Sequence, residues 1–145
     1  IGPQHQEDES GINRSSRQLV NLINEFKKEH PDAKIKLIGF SQGGAVSLYT
    51  ALLNPELCPD VLGLSCYLPL NRYFLDPYNK PKKTDLPKIT LMHGEHDDVI
   101  PLEFAKLSEQ LLQNLGYEIN FTSYNMRHEV SPEQIHAIIT WVTNA

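Results

Sequence analysis

Apolar residues recur along the chain with two periods, and the alternation between those periods lays out the architecture. Ile12, Leu19, Val20, Ile23 and Phe26 stand at helical spacing behind Ser10, a residue type that caps helix starts. They predict an amphipathic helix of about five turns that ends at His30-Pro31-Asp32. The short run from Ile35 to Phe40 predicts a strand, and Ala45, Val46, Leu48, Ala51 and Leu52 carry a helix as far as Asn54-Pro55. Val61 to Leu68 reads as a second strand without polar alternation, the pattern of a parallel sheet covered on both faces. Pro69 to Pro87 predicts an excursion over the top of that sheet, and Lys88 to His93 a third strand. Pro101 suits the first position of a helix whose core side is Leu102, Ala105, Leu107, Leu111, Leu112 and Leu115, with Gly116 closing it. Tyr117 to Tyr124 makes a fourth strand. Ser131-Pro132-Glu133-Gln134 is a capping box opening a last helix that carries Ile135, Ile138, Ile139 and Val142. Strands alternating with helices predict an α/β fold with a parallel sheet between helical layers.

Composition narrows the class only slightly. The 145 residues carry a net charge of -5 and no Lys/Arg cluster, which argues against a nucleic-acid partner; Lys80, Lys82 and Lys83 read as solvated. No apolar run is long enough to span a bilayer. Cys58 and Cys66 make no disulfide framework and read as reduced, buried thiols of a cytoplasmic protein. Asn13-Arg14-Ser15 and Asn120-Phe121-Thr122 match glycosylation acceptors, but nothing else points to secretion. The first residue is Ile1 and the opening stretch is polar, so residues 1–145 are expected to form one domain that is incomplete at its amino end.

The chemistry gathers where strands end. Gly39-Phe40-Ser41-Gln42-Gly43 joins the first strand directly to a helix, and Gly39 and Gly43 flank Ser41 as a strained strand-to-helix turn requires. Ser41 is then either an exposed nucleophile or a simple helix cap. Asp97 and Asp98 follow the third strand and His128 follows the fourth. A serine hydroxyl becomes nucleophilic when an imidazole takes its proton and a carboxylate steadies the imidazole, and Ser, Asp, His is the chain order of the α/β-hydrolase triad. Either aspartate suits the acid. His128 alone could be a surface histidine, but its place immediately after the last strand favours a role in the site. His93, His96 and Asp97 loosely suggest metal ligands, but no further ligand has convincing spacing, so no metal and no organic cofactor are expected.

Gln6-Glu7-Asp8-Glu9-Ser10-Gly11-Ile12, Gly39-Phe40-Ser41-Gln42-Gly43-Gly44-Ala45, Leu64-Ser65-Cys66-Tyr67-Leu68-Pro69-Leu70, His93-Gly94 with Asp97 and Pro101, and His128 together resemble the acyl-protein thioesterase (lysophospholipase-like carboxylesterase) family. The resemblance runs from about Gln6 to the last helix. It implies an α/β-hydrolase fold, Ser41 as nucleophile, Asp97 rather than Asp98 as acid, His128 as base and the Gln42 N–H as one oxyanion donor, with Tyr67 and Val99 on the acyl-binding surface. It also implies S-acylated proteins or lysophospholipids as substrates. Tyr67 stands where the family commonly has Trp, and Arg127 precedes the histidine where a small or apolar residue is common. Family members begin with further strands and a His-Gly loop that supplies a second oxyanion donor. Loss of one such donor costs roughly a hundred- to a thousandfold in rate. The resemblance therefore implies a serine hydrolase, most directly a protein depalmitoylase. The alternatives are a general carboxylesterase or lysophospholipase, and an inactive fragment that acts as a binding module. A strand at Ile35 to Phe40 left as a sheet edge would also predict self-association.

Overall fold

The computed structural model describes residues 8–57, 60–79 and 86–144. Among the described residues, four strands form one fully parallel sheet in the order of the chain: β1 (Lys36–Phe40), β2 (Asp60–Leu64), β3 (Lys88–Gly94) and β4 (Ile119–Tyr124). The helices are α1 (Glu9–Glu29), α2 (Gln42–Leu53), α3 (Asn71–Leu75), α4 (Leu102–Asn114) and α5 (Pro132–Thr143), with a 3-10 turn at Pro77–Asn79. The period of two along the strands divides the core. Leu37, Val61, Ile89 and Leu91 point into a cluster with Ile12 and Ile23 of α1, Leu48, Ala51 and Leu52 of α2, and Leu112 of α4. Leu62, Leu64, Met92 and Tyr124 point the other way, where Ala137, Ile138 and Trp141 of α5 cover them. Two polar contacts tie α1 to α2: Ser16 Oγ to Thr50 Oγ1 at 2.7 Å, and the Tyr49 hydroxyl donating to Asn13 Oδ1 at 2.7 Å.

Several boundaries and facings differ from the sequence expectation, each for a local reason. Asp8, not Ser10, caps α1, because its carboxylate accepts the Gly11 N–H at 2.9 Å while Ser10 lies exposed in the first turn. Phe26 is exposed at the end of α1, its ring stacked on His30 at 4.6 Å. β2 stops at Leu64 rather than Leu68, since Ser65 turns the chain with φ of 54° and Leu68 N–H goes to Ser108 Oγ at 2.8 Å. That bond also explains why Ser108 takes the inward place on α4 while Leu107 is exposed. Pro101 caps α4 from just outside it. The excursion after Pro69 contains α3 and the 3-10 turn, neither of which carries a sequence signal. On α5 the inward stripe is Gln134, Ala137, Ile138 and Trp141, whereas Ile135, Ile139 and Val142 are exposed. Lys36 Nζ fastens α5 to β1 by donating to the carbonyls of Trp141 (2.8 Å) and Asn144, and sits 5.0 Å from the Trp141 ring centre. Cys66 is a buried free thiol; Cys58, His5, Lys80, Lys82 and Lys83 lie outside the described residues.

Candidate active site

All four strands end on one side of the sheet, because Phe40, Leu64 and Met92 share a register and Gly94 pairs with Tyr124 two residues further on. The loops that leave this side converge, as open parallel sheets dictate. Ser41 occupies the single residue between β1 and α2 with φ of 56° and ψ of -121°. That conformation is unfavourable for a residue with a side chain and is held by its neighbours. The Ser41 N–H donates to the Leu64 carbonyl at 2.8 Å and its own carbonyl accepts from Ala45 N at 3.0 Å. A Cβ on Gly39 would collide with the backbone of Gly43 and Gly44. The second tight glycine of the turn is Gly44, whose added Cβ would press on the Gly39 carbonyl and Cys66 Sγ, whereas Gly43 faces open space among the described residues. The sequence expectation for Gly43 is corrected accordingly. The Ser41 side chain makes no capping bond to α2. Its Oγ lies instead 3.0 Å from His128 Nε2.

His128 Nδ1 is in turn 2.8 Å from Asp97 Oδ2. A carboxylate only accepts, so Nδ1 carries the proton and the Nε2 lone pair faces the serine hydroxyl. The Asp97 side chain is wholly buried and Oδ1 accepts the N–H groups of Val99 (2.9 Å) and Ile100 (2.8 Å). Burial pushes its carboxyl pKa up, but the bonds from His128, Ile100 and Val99 outweigh this and leave it below the ordinary value. Asp98 has 70% of its side chain exposed and faces Arg127 at 3.8 Å. Geometry thus separates the two adjacent acids.

The acid and histidine loops are fastened to each other. Glu95 N–H donates to the Tyr124 carbonyl (2.8 Å) and His96 N–H to that of Met126 (3.0 Å), while His96 Nε2 is 2.8 Å from Asn125 Oδ1. Gly94 lies directly beneath the Met126 and Arg127 carbonyls, where an added Cβ has no room. The sequence reading also overlooked Phe40, whose ring stacks on the His128 imidazole at 4.8 Å. Its position next to the nucleophile candidate was the available signal.

A groove of about 340 Å³ opens on Ser41, lined by Gln42, Ile12, Ala45, Tyr67, Pro69, Val99 and Phe104, with Asp8 at its edge. Tyr67 and Val99 thus both face the site; Tyr67 meets Phe104 edge-on at 6.3 Å. Gln42 is the first residue of α2, so its N–H stands at the positive end of the helix and outside the helix's own hydrogen-bond ladder. His30 and His136 lie exposed, away from this arrangement.

The sequence pattern of the phospholipase/carboxylesterase family matches residues 1–145. The chain is 36% identical over 134 residues to acyl-protein thioesterase 1 of Gibberella zeae, covering 91% of this chain and 57% of that protein. It is 37% identical over 134 residues to acyl-protein thioesterase 1 of Emericella nidulans, with 89% and 55% covered. It therefore spans just over half the length of these curated relatives. Among solved structures it resembles Zea mays acyl-protein thioesterase 2, with a TM-score of 0.83, 25% identity, and 99% of this chain and 68% of that one covered. Arabidopsis thaliana SOBER1 superposes with a TM-score of 0.79 at 20% identity over 98% of this chain and 68% of that one. A parallel sheet that brings a strand-to-helix serine, a buried acid and a histidine to one edge, with a family pattern matched from end to end, makes this chain a member of the phospholipase/carboxylesterase family of α/β-hydrolases.

Proposed function

We propose that this chain carries the catalytic groups of a serine hydrolase for acyl thioesters and esters, with S-acylated proteins as the first substrate class. The observation that carries the proposal is the line from Asp97 Oδ2 through His128 to Ser41 Oγ, with links of 2.8 and 3.0 Å. Ser41 Oγ attacks the acyl carbonyl as His128 Nε2 takes the hydroxyl proton, and Asp97 supports the resulting imidazolium. The tetrahedral oxyanion faces the N-terminus of α2, where the Gln42 N–H donates to it. Collapse breaks the carbon–sulfur or carbon–oxygen bond, His128 returns the proton to the departing thiol or alcohol, and an acyl-Ser41 ester remains. Water, deprotonated by His128, then attacks this ester to release the acid and restore Ser41.

The names of the related thioesterases and the apolar groove beside Ser41 support a long acyl chain on a protein cysteine. Lysophospholipid is the second reading, favoured by the family's phospholipase description. A cytoplasmic location agrees with the free Cys66, and no helix among the described residues is long and apolar enough to cross a membrane. β1 is an unpaired sheet edge among the described residues, with Ile38 and Phe40 partly exposed on the face they share with Leu62 and Leu64, so this chain by itself is proposed to self-associate along that edge.

Hydrolysis of a palmitoyl-cysteine peptide, the matching palmitoyl-serine ester and a lysophosphatidylcholine by the wild-type chain and Ser41→Ala tests the proposal. The thioester is expected to turn over fastest and Ser41→Ala to be inert. Equal turnover by Ser41→Ala overturns the nucleophile assignment, a faster lysolipid reaction overturns the substrate order, and no turnover of any substrate favours a binding module.

A further inference from the structure

His93, the penultimate residue of β3, is 1% exposed, yet it is neither apolar nor part of the Ser41 line. Its Nε2 lies 2.7 Å from the Ile100 carbonyl oxygen. A carbonyl accepts and never donates, so Nε2 carries a proton. The same nitrogen is 3.4 Å from Asp97 Oδ2, the oxygen that receives the His128 N–H. The other ring nitrogen, Nδ1, has no hydrogen-bond partner among the described residues. A leucine would fill the same space without the unpaired Nδ1, but it would leave the Ile100 carbonyl without its donor. The imidazole is explained by what Nε2 does.

That single donor closes a ring. Asp97 Oδ1 accepts the Ile100 N–H at 2.8 Å, and His93 holds the carbonyl of the same Ile100, so one residue is gripped at both ends of its main chain. The carboxylate is thereby fixed on both oxygens: Oδ1 by the Val99 and Ile100 amides, Oδ2 by His128 with the His93 N–H alongside. Without the His93 donor, the part-buried Ile100 carbonyl loses its partner and the turn from Asp97 to Ile100 is free to relax, which rotates the plane of the carboxylate away from His128 Nδ1. We infer that His93 is a positioning residue, one that uses its Nε2–H on the Ile100 carbonyl to orient the Asp97 carboxylate toward His128. This deepens the hydrolase reading and rests on it for its rate measurement, while its spectroscopic measurement stands apart.

The test uses two amides that differ in where they put an N–H. Glutamine at position 93 reaches as far as Nε2, whereas asparagine reaches only as far as Nδ1. Ser41 labelling by a fluorophosphonate and the low-field His128 Nδ1–H resonance are measured for wild type, His93→Gln and His93→Asn, with backbone amide spectra to establish the fold. Labelling in His93→Gln is expected within about threefold of wild type and in His93→Asn about 10- to 100-fold slower, with the His128 proton signal kept in the first and lost in the second. Equal behaviour of the two folded variants, whether both active or both impaired, overturns the inference, because the position of the donor then does not matter. If neither variant folds, ring nitrogen shifts of the wild-type chain decide: His93 must be the Nε2–H tautomer, and the Nδ1–H tautomer overturns the assignment. A wild-type chain that fails to label Ser41 counts against the hydrolase reading, while the His128 resonance still reads the role of His93.

Discussion

Replacing Gly94 by alanine adds a methyl group at a place where the structure has no room to spare. The new Cβ would meet the carbonyl oxygens of Met126 and Arg127, both main-chain atoms that cannot turn aside as a flexible side chain would. Ordinary contact begins at 3.4 Å, so the histidine loop must retreat by about 1 Å, and a displacement of that size can cost about a hundredfold in rate. Retreat by rotation is blocked, since Glu95 and His96 pin the flanking residues to the carbonyls of Tyr124 and Met126. The shift therefore passes to His128, the next residue, whose Nε2 now stands 3.0 Å from Ser41 Oγ. Overpacking of this kind destabilises by about 1–3 kcal/mol, which leaves a folded protein to assay. Intact-mass measurement of the rate at which a fluorophosphonate modifies Ser41, made well below both melting transitions, is expected to show a loss of about a hundredfold for Gly94→Ala. A rate within threefold of wild type, with the variant folded, would refute the claim that this close approach sets the position of the histidine.

Three further outcomes follow from the same geometry. The Asp97 carboxyl has a native pKa below its unfolded value near about 3.9, so its contribution to stability is full above that value and is lost as pH falls through the native pKa. The gap in urea midpoint between wild type and Asp97→Asn should accordingly shrink as pH falls through the native Asp97 pKa, and a gap that does not shrink on acidification contradicts this. Burial pushes the Cys66 thiol up to about 12, so peptide mapping after brief treatment with a maleimide should find it unmodified in the native chain and modified in urea; rapid native modification contradicts its burial. Gly39→Ala should lower stability by about 1–3 kcal/mol, because the new Cβ meets the Gly43 and Gly44 backbone, whereas Gly43→Ala, pointing into open space within α2, should raise it by about 0.4–1 kcal/mol; comparable melting temperatures for the two would contradict the packing of the turn.

β2 and most of β3 were legible as short apolar runs hidden on both faces, β1 as an apolar run leading into the glycine-flanked turn and β4 by Ile119 and Phe121 alternating with polar residues, and Ser41, the acid pair and His128 were legible because each follows a strand. Which of two adjacent acids serves was not readable from the residues themselves. Asp97 and Asp98 differ only in burial, and that difference is created by Val99 and Ile100 folding their amides back onto one of them. The facing of α5 was not readable for a related reason. Its sequence offers two apolar stripes, Ile135, Ile139 and Val142 on one side and Ala137, Ile138 and Trp141 on the other, and the presence of Gln134 on the second makes the first look like the core side. Similarly, Ser108 sits inward on α4 because it receives the Leu68 N–H, a partner 40 residues distant that no helical pattern announces. The misassigned glycine of the turn reflects contact as well: Gly44, not Gly43, lies against the Gly39 carbonyl and Cys66. For α4 and α5 the element was encoded locally and its facing was decided by contacts remote in the chain, whereas the acid and the turn glycine were decided by how a few neighbouring residues fold back.

The most direct measurement is of the serine itself. A fluorophosphonate reacts with a hydroxyl that a neighbouring imidazole has activated, and the adduct can be located by peptide mass. One adduct on Ser41 is expected in the wild-type chain, none in Ser41→Ala, and a rate lower by about ten-thousandfold in His128→Ala. A folded wild-type chain that stays unmodified, or that carries its adduct at another residue, would contradict the assignment of Ser41, His128 and Asp97 as one working unit.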